Sequence, residues 1–128
     1  MLPFAHLNLR RNPFGELTAP ERATLAVVDL DAAAAALDAG AIVQLVAPHG
    51  RGKTTHLLAL HARHAGAPFR RAGREGIFDL PTEGVAFVDE VDVLDGPARR
   101  ALWVRAGALA VATHVDHGRE IRLSLIHI

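Results

Sequence analysis

Ala47-Pro48-His49-Gly50-Arg51-Gly52-Lys53-Thr54-Thr55 is the stretch on which the reading of this chain turns. It follows the apolar run Ile42-Val43-Gln44-Leu45-Val46 and precedes the helix-like segment His56-Leu57-Leu58-Ala59-Leu60-His61-Ala62-Arg63-His64. A β-branched strand, a glycine loop ending in Gly-Lys-Thr, and then a helix is the layout of a phosphate-binding loop. Gly50 and Gly52 let the backbone turn so that its N–H groups face one anion. The helix adds the positive end of its dipole. Lys53 is placed to reach the β- and γ-phosphates of a nucleotide, and the Thr54 hydroxyl to ligate Mg²⁺. The expected nucleotide-binding set is therefore Pro48, His49, Gly50, Arg51, Gly52, Lys53, Thr54 and Thr55. One position departs from the pattern: Ala47 stands where Gly is usual, and Ala does not take positive φ cheaply.

The second signal lies downstream, in Gly84-Val85-Ala86-Phe87-Val88-Asp89-Glu90. A continuous apolar run reads as a parallel strand buried on both faces, and this one ends in two carboxylates. Set beside the glycine loop, its C-terminal end is expected next to the first strand, facing the same phosphate crevice. Asp89 would then hold the Mg²⁺ shell, and Glu90 would orient and deprotonate an attacking water. Taken alone, the pair is a solvated strand end. The spacing decides between the two readings, because residues 56–88 hold one helix and a hairpin or strand insertion with little left over.

A third buried strand with a polar end is expected in Gly107-Ala108-Leu109-Ala110-Val111-Ala112-Thr113-His114. Pro97 to Arg105 reads as a helix after a Gly96 turn, with Pro97 at its first position. Phe69-Arg70-Arg71-Ala72 and Ile77-Phe78-Asp79-Leu80 are short strand candidates around Gly73 and Gly76. Upstream, Asp31 is an N-cap candidate for Ala32-Ala33-Ala34-Ala35-Ala36-Leu37, with Gly40 as the stop. Glu21 to Val28 reads as helical, although Leu25-Ala26-Val27-Val28 fits an extended chain equally well. Residues 1–20 carry two turn-like punctuations without periodicity and read as an irregular arm. Phe14 within that arm is a candidate to lie over an adenine, against local packing beside Pro13 and Gly15.

Composition narrows the class. With 128 residues, half of them hydrophobic, and 14 basic against 14 acidic side chains, the chain reads as one soluble globular domain without a bias toward nucleic acid or membrane. The absence of cysteine excludes disulfides and thiolate metal sites. No stretch approaches the roughly 20 apolar residues of a membrane span, and the N-terminus lacks the order of a signal peptide; a cytoplasmic location is expected. Eight histidines raise a metal hypothesis, through His61 with His64 and His114 with His117. Neither pair completes a recognisable Zn²⁺ pattern, so surface histidines are the expected reading. Arg99, Arg100 and Arg105 read as helix-face charges, with a finger acting on a neighbouring subunit as the alternative.

Glu120-Ile121-Arg122-Leu123-Ser124-Leu125-Ile126-His127-Ile128 alternates like a last strand. Its final six residues also resemble the translation of a transposase mosaic-end adapter used in DNA library preparation, in which CTG TCT CTT ATA CAC ATC spells the same residues. The expectation is that native sequence stops near Arg122 and that 123–128 carry no functional weight. The organisation is then 1–40, an arm with short helices; 41–122, an incomplete nucleotide-binding core; and 123–128, an adapter-derived tail.

The glycine loop, Asp89-Glu90 and the Ala112-Thr113-His114 strand end together resemble the core of an AAA-type ATPase, over roughly residues 40–117. Asn12-Pro13-Phe14 is similar to the start of bacterial AAA ATPases of secretion and transposition systems. The resemblance implies an α/β fold, a three-layer sandwich with a mainly parallel sheet and a P-loop NTPase core. It also implies ATP with Mg²⁺ and assembly with copies of itself or a protein partner. It assigns catalysis to Glu90 and Lys53, with Thr113 sensing the γ-phosphate and His114 as the runner-up. Two other functions compete. A nucleotide-responsive binding module would use the same phosphate site with little hydrolysis. A GTPase would read guanine through Thr113-His114-Val115-Asp116, but Asp89 is followed by Glu90-Val91-Asp92, which lacks the glycine that a GTPase places there. A small-molecule kinase fits less well, since no substrate or lid motif stands out.

Overall fold

The computed structural model describes residues 4–9, 21–26, 30–46, 53–64, 66–77 and 79–126. Loop residues 47–52, which include Pro48, His49, Gly50, Arg51 and Gly52, lie outside the described residues, as does Phe14.

The described elements in chain order are β1 (Phe4–Leu9), β2 (Glu21–Ala26), α1 (Leu30–Asp38), β3 (Ile42–Val46), α2 (Lys53–His61), β4 (Phe69–Arg71), β5 (Ala86–Asp89), α3 (Gly96–Trp103), β6 (Leu109–Thr113) and α4 (Gly118–Ile126). Short 3-10 turns follow α2 and β5, at Ala62–His64 and Val91–Val93. One sheet has the order β2-β1-β3-β6-β5-β4. β3, β6, β5 and β4 run parallel, while β1 pairs antiparallel with both β3 and β2.

β3, β5 and β6 are mostly apolar and fully buried because both sheet faces are covered there, whereas the edge strand β4, Phe69-Arg70-Arg71, is partly exposed. Alternation sends Val43, Leu45, Phe87, Ala110 and Ala112 to one face, where they pack with α1 and with Leu57 and Leu60 of α2. Ile42, Ala86, Val88, Leu109 and Val111 go to the other face, against α3 and α4 through Leu102, Trp103, Ile121 and Leu125. The result is helices, sheet, helices. Strand direction and handedness explain the split. The chain leaves β3 through α2 for the far edge of the sheet, then returns through β5 and α3 to β6. Right-handed crossovers that travel in opposite directions place their helices on opposite faces.

Two helix ends follow local chemistry. Asp95 caps α3 by accepting the Ala98 N–H at 2.9 Å, ahead of Pro97 in the first turn. Gly40, at φ 87°, closes α1 as a Schellman end. Its N–H donates to Leu37 O at 3.0 Å, and the next N–H, of Ala41, donates to Ala36 O at 2.9 Å.

Several expectations from sequence are corrected. Residues 4–9 are a strand rather than an irregular arm, and Glu21–Ala26 is a strand rather than a helix. Their register pairs Phe4 to Leu9 with Ala26 to Glu21, so the tertiary ladder decides a segment whose local pattern fits either state. Asp31 lies inside the first turn of α1 and not at its cap. Ile77 and Leu80 are not in a strand; Asp79 turns the chain at φ 52°. β5 does not lie beside β3, because β6 inserts between them. The segment from Gly118 to Ile126 is a helix, not a strand. Ile121 and Leu125, one helical turn apart, are buried there, whereas Leu123, which a strand would place on their side, is 49% exposed. No helix among the described residues is long and apolar enough to cross a membrane.

Candidate functional site

The C-terminal ends of β3, β6 and β5 line up at one edge of the sheet, with Val46 opposite Thr113 and Val88 opposite Val111. α2 starts at this edge with Lys53, so Thr54 lies in its first turn. Asp89 is the last residue of β5 and follows Phe87 onto the face that α2 covers. The two meet: the Thr54 hydroxyl donates to Asp89 Oδ2 at 2.8 Å. Asp89 Oδ1 accepts the Glu90 N–H, also at 2.8 Å. Asp89 is fully buried, and an ionised carboxylate at such a site needs both oxygens bonded to offset its desolvation. A carboxylate and a hydroxyl held together are hard oxygen donors of the kind that Mg²⁺ takes, alongside phosphate oxygens and water.

Glu90 leaves the strand in the left-handed region, at φ 61° and ψ 36°. A non-glycine residue there costs about 1–2 kcal/mol, and such strain is concentrated at functional sites. The turn that follows is closed by Val93 N–H to Glu90 O at 3.1 Å and Leu94 N–H to Val91 O at 3.0 Å.

Thr113 ends β6, between the other two strand ends. It is fully buried, and among the described residues its Oγ1 has no hydrogen-bond partner. Alternation carries it with Leu109 and Val111 toward α3 and α4, the face opposite Asp89. The structure thus joins Thr54, Asp89 and Glu90 through hydrogen bonds and adds Thr113 by position alone.

Two polar residues at this edge, Asp92 and Gln44, carry no role in the sequence reading. Asp92 Oδ2 accepts the His114 N–H at 2.6 Å, and its Oδ1 pairs with His117 Nε2 at 2.9 Å. Burial pushes the Asp92 carboxyl up, but the bonds from His117 and the His114 N–H, with the nearby imidazoles, outweigh it and hold the group below its ordinary value. Gln44, fully buried in β3, accepts the His117 N–H at 2.9 Å and donates to Asp116 Oδ1 at 3.3 Å. The signals were present in the sequence: Gln44 interrupts an apolar run, and Asp92 is the third acid in Asp89-Glu90-Val91-Asp92.

Most of the other candidates have structural partners. Arg99 pairs with Glu120 at 3.1 Å and donates to Leu94 O, and Arg105 donates to Pro81 O and Ala108 O. His61 bonds Ala67 O at 2.7 Å and stacks edge-on with Phe69 and Phe87. His64 pairs with Asp38. The side chains of His64 and His117 are only 14% and 11% exposed, so these two are not surface histidines. No group of three metal-ligating side chains occurs among the described residues. A cleft of about 820 Å³ opens between α3 and α4, lined by Arg100, Val104, Arg119 and Glu120, and it does not include Thr54 or Asp89. The Thr54–Asp89 pair is the better site candidate, because it unites a buried carboxyl, a hydroxyl bonded to it and a strained neighbour at the strand ends, where α/β sheets bind ligands.

Comparison with family models, curated proteins and solved structures returns no match to this chain.

Proposed function

We propose that this chain is a P-loop ATPase of AAA type that binds ATP with Mg²⁺ and hydrolyses it to ADP and phosphate. The observation that carries the reading is the 2.8 Å hydrogen bond from Thr54 to the buried Asp89. The two residues are far apart in sequence and belong to separate motifs, yet they share one bond. A chance Gly-Lys-Thr and a chance strand-end acid have no reason to meet.

In this reading the N–H groups of residues 48–52 and the Lys53 ammonium bind the β- and γ-phosphates. Thr54 and Asp89 hold Mg²⁺, with Thr55 beside them completing the loop. When bound, Mg²⁺ neutralises charge on the phosphate oxygens. Glu90 orients a water for in-line attack and accepts its proton, and its strained backbone fixes where the carboxylate is presented. The end of β6 reads the γ-phosphate. The orphaned Thr113 hydroxyl supports Thr113 in that role, whereas its position on the α3/α4 face supports His114. A cytoplasmic location accords with use of ATP. The task that hydrolysis drives, and any self-assembly or protein partner, are not written in the described residues.

A GTPase finds less support. The position that needs a glycine N–H is Asp92, whose carboxylate is bonded to His114 and His117. Asp116, which would read guanine, gives its Oδ1 to the Gly118 N–H and to Gln44. Glu90→Gln tests the remaining choice between ATPase and binding module. Loss of turnover with ATP affinity retained supports the ATPase. A negligible wild-type rate that the substitution leaves unchanged supports the module.

A further inference from the structure

We propose that Asp92 is a positioning residue that fastens the end of β6 to the Glu90 turn, so that the γ-phosphate-reading strand end and the water-activating carboxylate keep one spacing. This rests on the ATPase reading above and adds a residue to it. Asp92 sits in the 3-10 turn that begins directly after Glu90, and that turn is closed back onto Glu90 O. From there its two oxygens cross to the segment beyond β6, one to the His114 N–H and one to the His117 imidazole. His117 is held in turn by Gln44 of β3, through its own N–H. Residues 114–117 are thus tied on one side to the turn after β5 and on the other to β3, and β6 lies between those two strands. The bonds of Asp92 tie the turn that follows Asp89 to the residues that follow Thr113.

A merely space-filling residue would not be a carboxylate at this place. The Asp92 and His117 side chains are 19% and 11% exposed, and burying charge is favourable only where specific donors meet it. The donors here are a backbone N–H one residue past Thr113 and an imidazole. Both belong to the segment whose position matters for reading the γ-phosphate.

The test compares the wild-type full chain with Asp92→Ala and Asp92→Asn. Three quantities are read: Mg²⁺-dependent ATP affinity, preference for ATP over ADP, and turnover. Asp92→Ala is expected to bind ATP within about threefold of wild type while turnover falls about tenfold or more, since small displacements of reacting groups cost that much. Its preference for ATP over ADP narrows. Asp92→Asn, which retains an acceptor for the His114 N–H, recovers most of the loss. A folded Asp92→Ala that keeps turnover and ATP preference within about twofold of wild type overturns the proposal. Should Asp92→Ala fail to fold, Asp92→Glu decides, because it keeps charge and acceptors but shifts them by one methylene. Wild-type turnover in Asp92→Glu overturns the proposal, and reduced turnover with retained affinity supports it. Failure of the ATPase reading is seen separately, in a folded wild type that binds no ATP, and overturns both. If wild type binds ATP without hydrolysing it, the ATP preference remains the deciding quantity.

Discussion

Replacing Thr54 by Val removes the hydroxyl that donates to Asp89 Oδ2 at 2.8 Å while keeping the shape of the side chain. Asp89 is fully buried, so the abandoned carboxylate oxygen has no ready substitute in bulk water. Hydrogen bonds to charged groups contribute about 1.5–3 kcal/mol, and an orphaned buried acceptor costs a similar amount. Thr54→Val is therefore expected to lower stability by about 1.5–3 kcal/mol. With a urea slope of about 1–3 kcal/mol per molar for a domain of this size, the midpoint falls by about 1 M. Asp89→Leu completes a cycle, because the double variant has neither the carboxylate nor the Thr54 hydroxyl, and the lost bond from the Glu90 N–H is common to Asp89→Leu and the double variant and cancels. The two single costs are expected to exceed the double cost by about 1.5–3 kcal/mol, well beyond the roughly 0.5 kcal/mol scatter of independent sites. Urea unfolding of the four proteins without nucleotide measures this directly. Additive single costs would refute the reasoning, since the bond joining the two motifs would then carry no energy.

Other consequences concern strain, close approach and pH. Glu90→Gly relieves the φ of 61° and is expected to raise stability by about 0.5–1 kcal/mol in thermal unfolding, while turnover falls by about a hundredfold or more with loss of the base. Gly107→Ala would drive a Cβ into the Gly84 backbone at a φ of 102°; a loss of about 3 kcal/mol or more in urea unfolding is expected, and an undiminished midpoint would contradict the packing there. Glu120 is pushed up by burial but held below its ordinary 4.5 by the Arg99 guanidinium and the Trp103 N–H. A depressed folded value means that the unfolded chain binds more protons, so the stability from this group is complete above about 4.5 and is lost as pH falls through the folded value. Thermal midpoints between about pH 6 and pH 3 are expected to fall less steeply in Glu120→Gln than in wild type.

The parts of the fold legible in sequence were those with redundant local signals. β3, α2 and β5 carry continuous apolar runs next to glycine or acidic punctuation, and both their type and their place in the chain could be read. β1 and β2 could not, because their ladder with β3 is a tertiary fact that local periodicity does not encode. α4 misled for a different reason. Ile121, Leu123 and Leu125 satisfy period two, while Ile121 with Leu125 also satisfies a helical turn, and only packing on α3 and the sheet selects the helix. At the candidate site, Thr54, Asp89 and Glu90 were legible from their motifs. The insertion of β6 between β3 and β5 was not, since strand order depends on the path of the crossovers. Asp92 and Gln44 escaped for the same reason: each is bonded to a residue distant in sequence.

The most direct test of the nucleotide site is a titration of the full chain with ATP, with and without Mg²⁺, beside Lys53→Ala. The expected result is saturable ATP binding by wild type that strengthens with Mg²⁺ and disappears in Lys53→Ala. Folded wild type that binds no ATP, or ATP binding that neither Mg²⁺ nor Lys53→Ala alters, would contradict it.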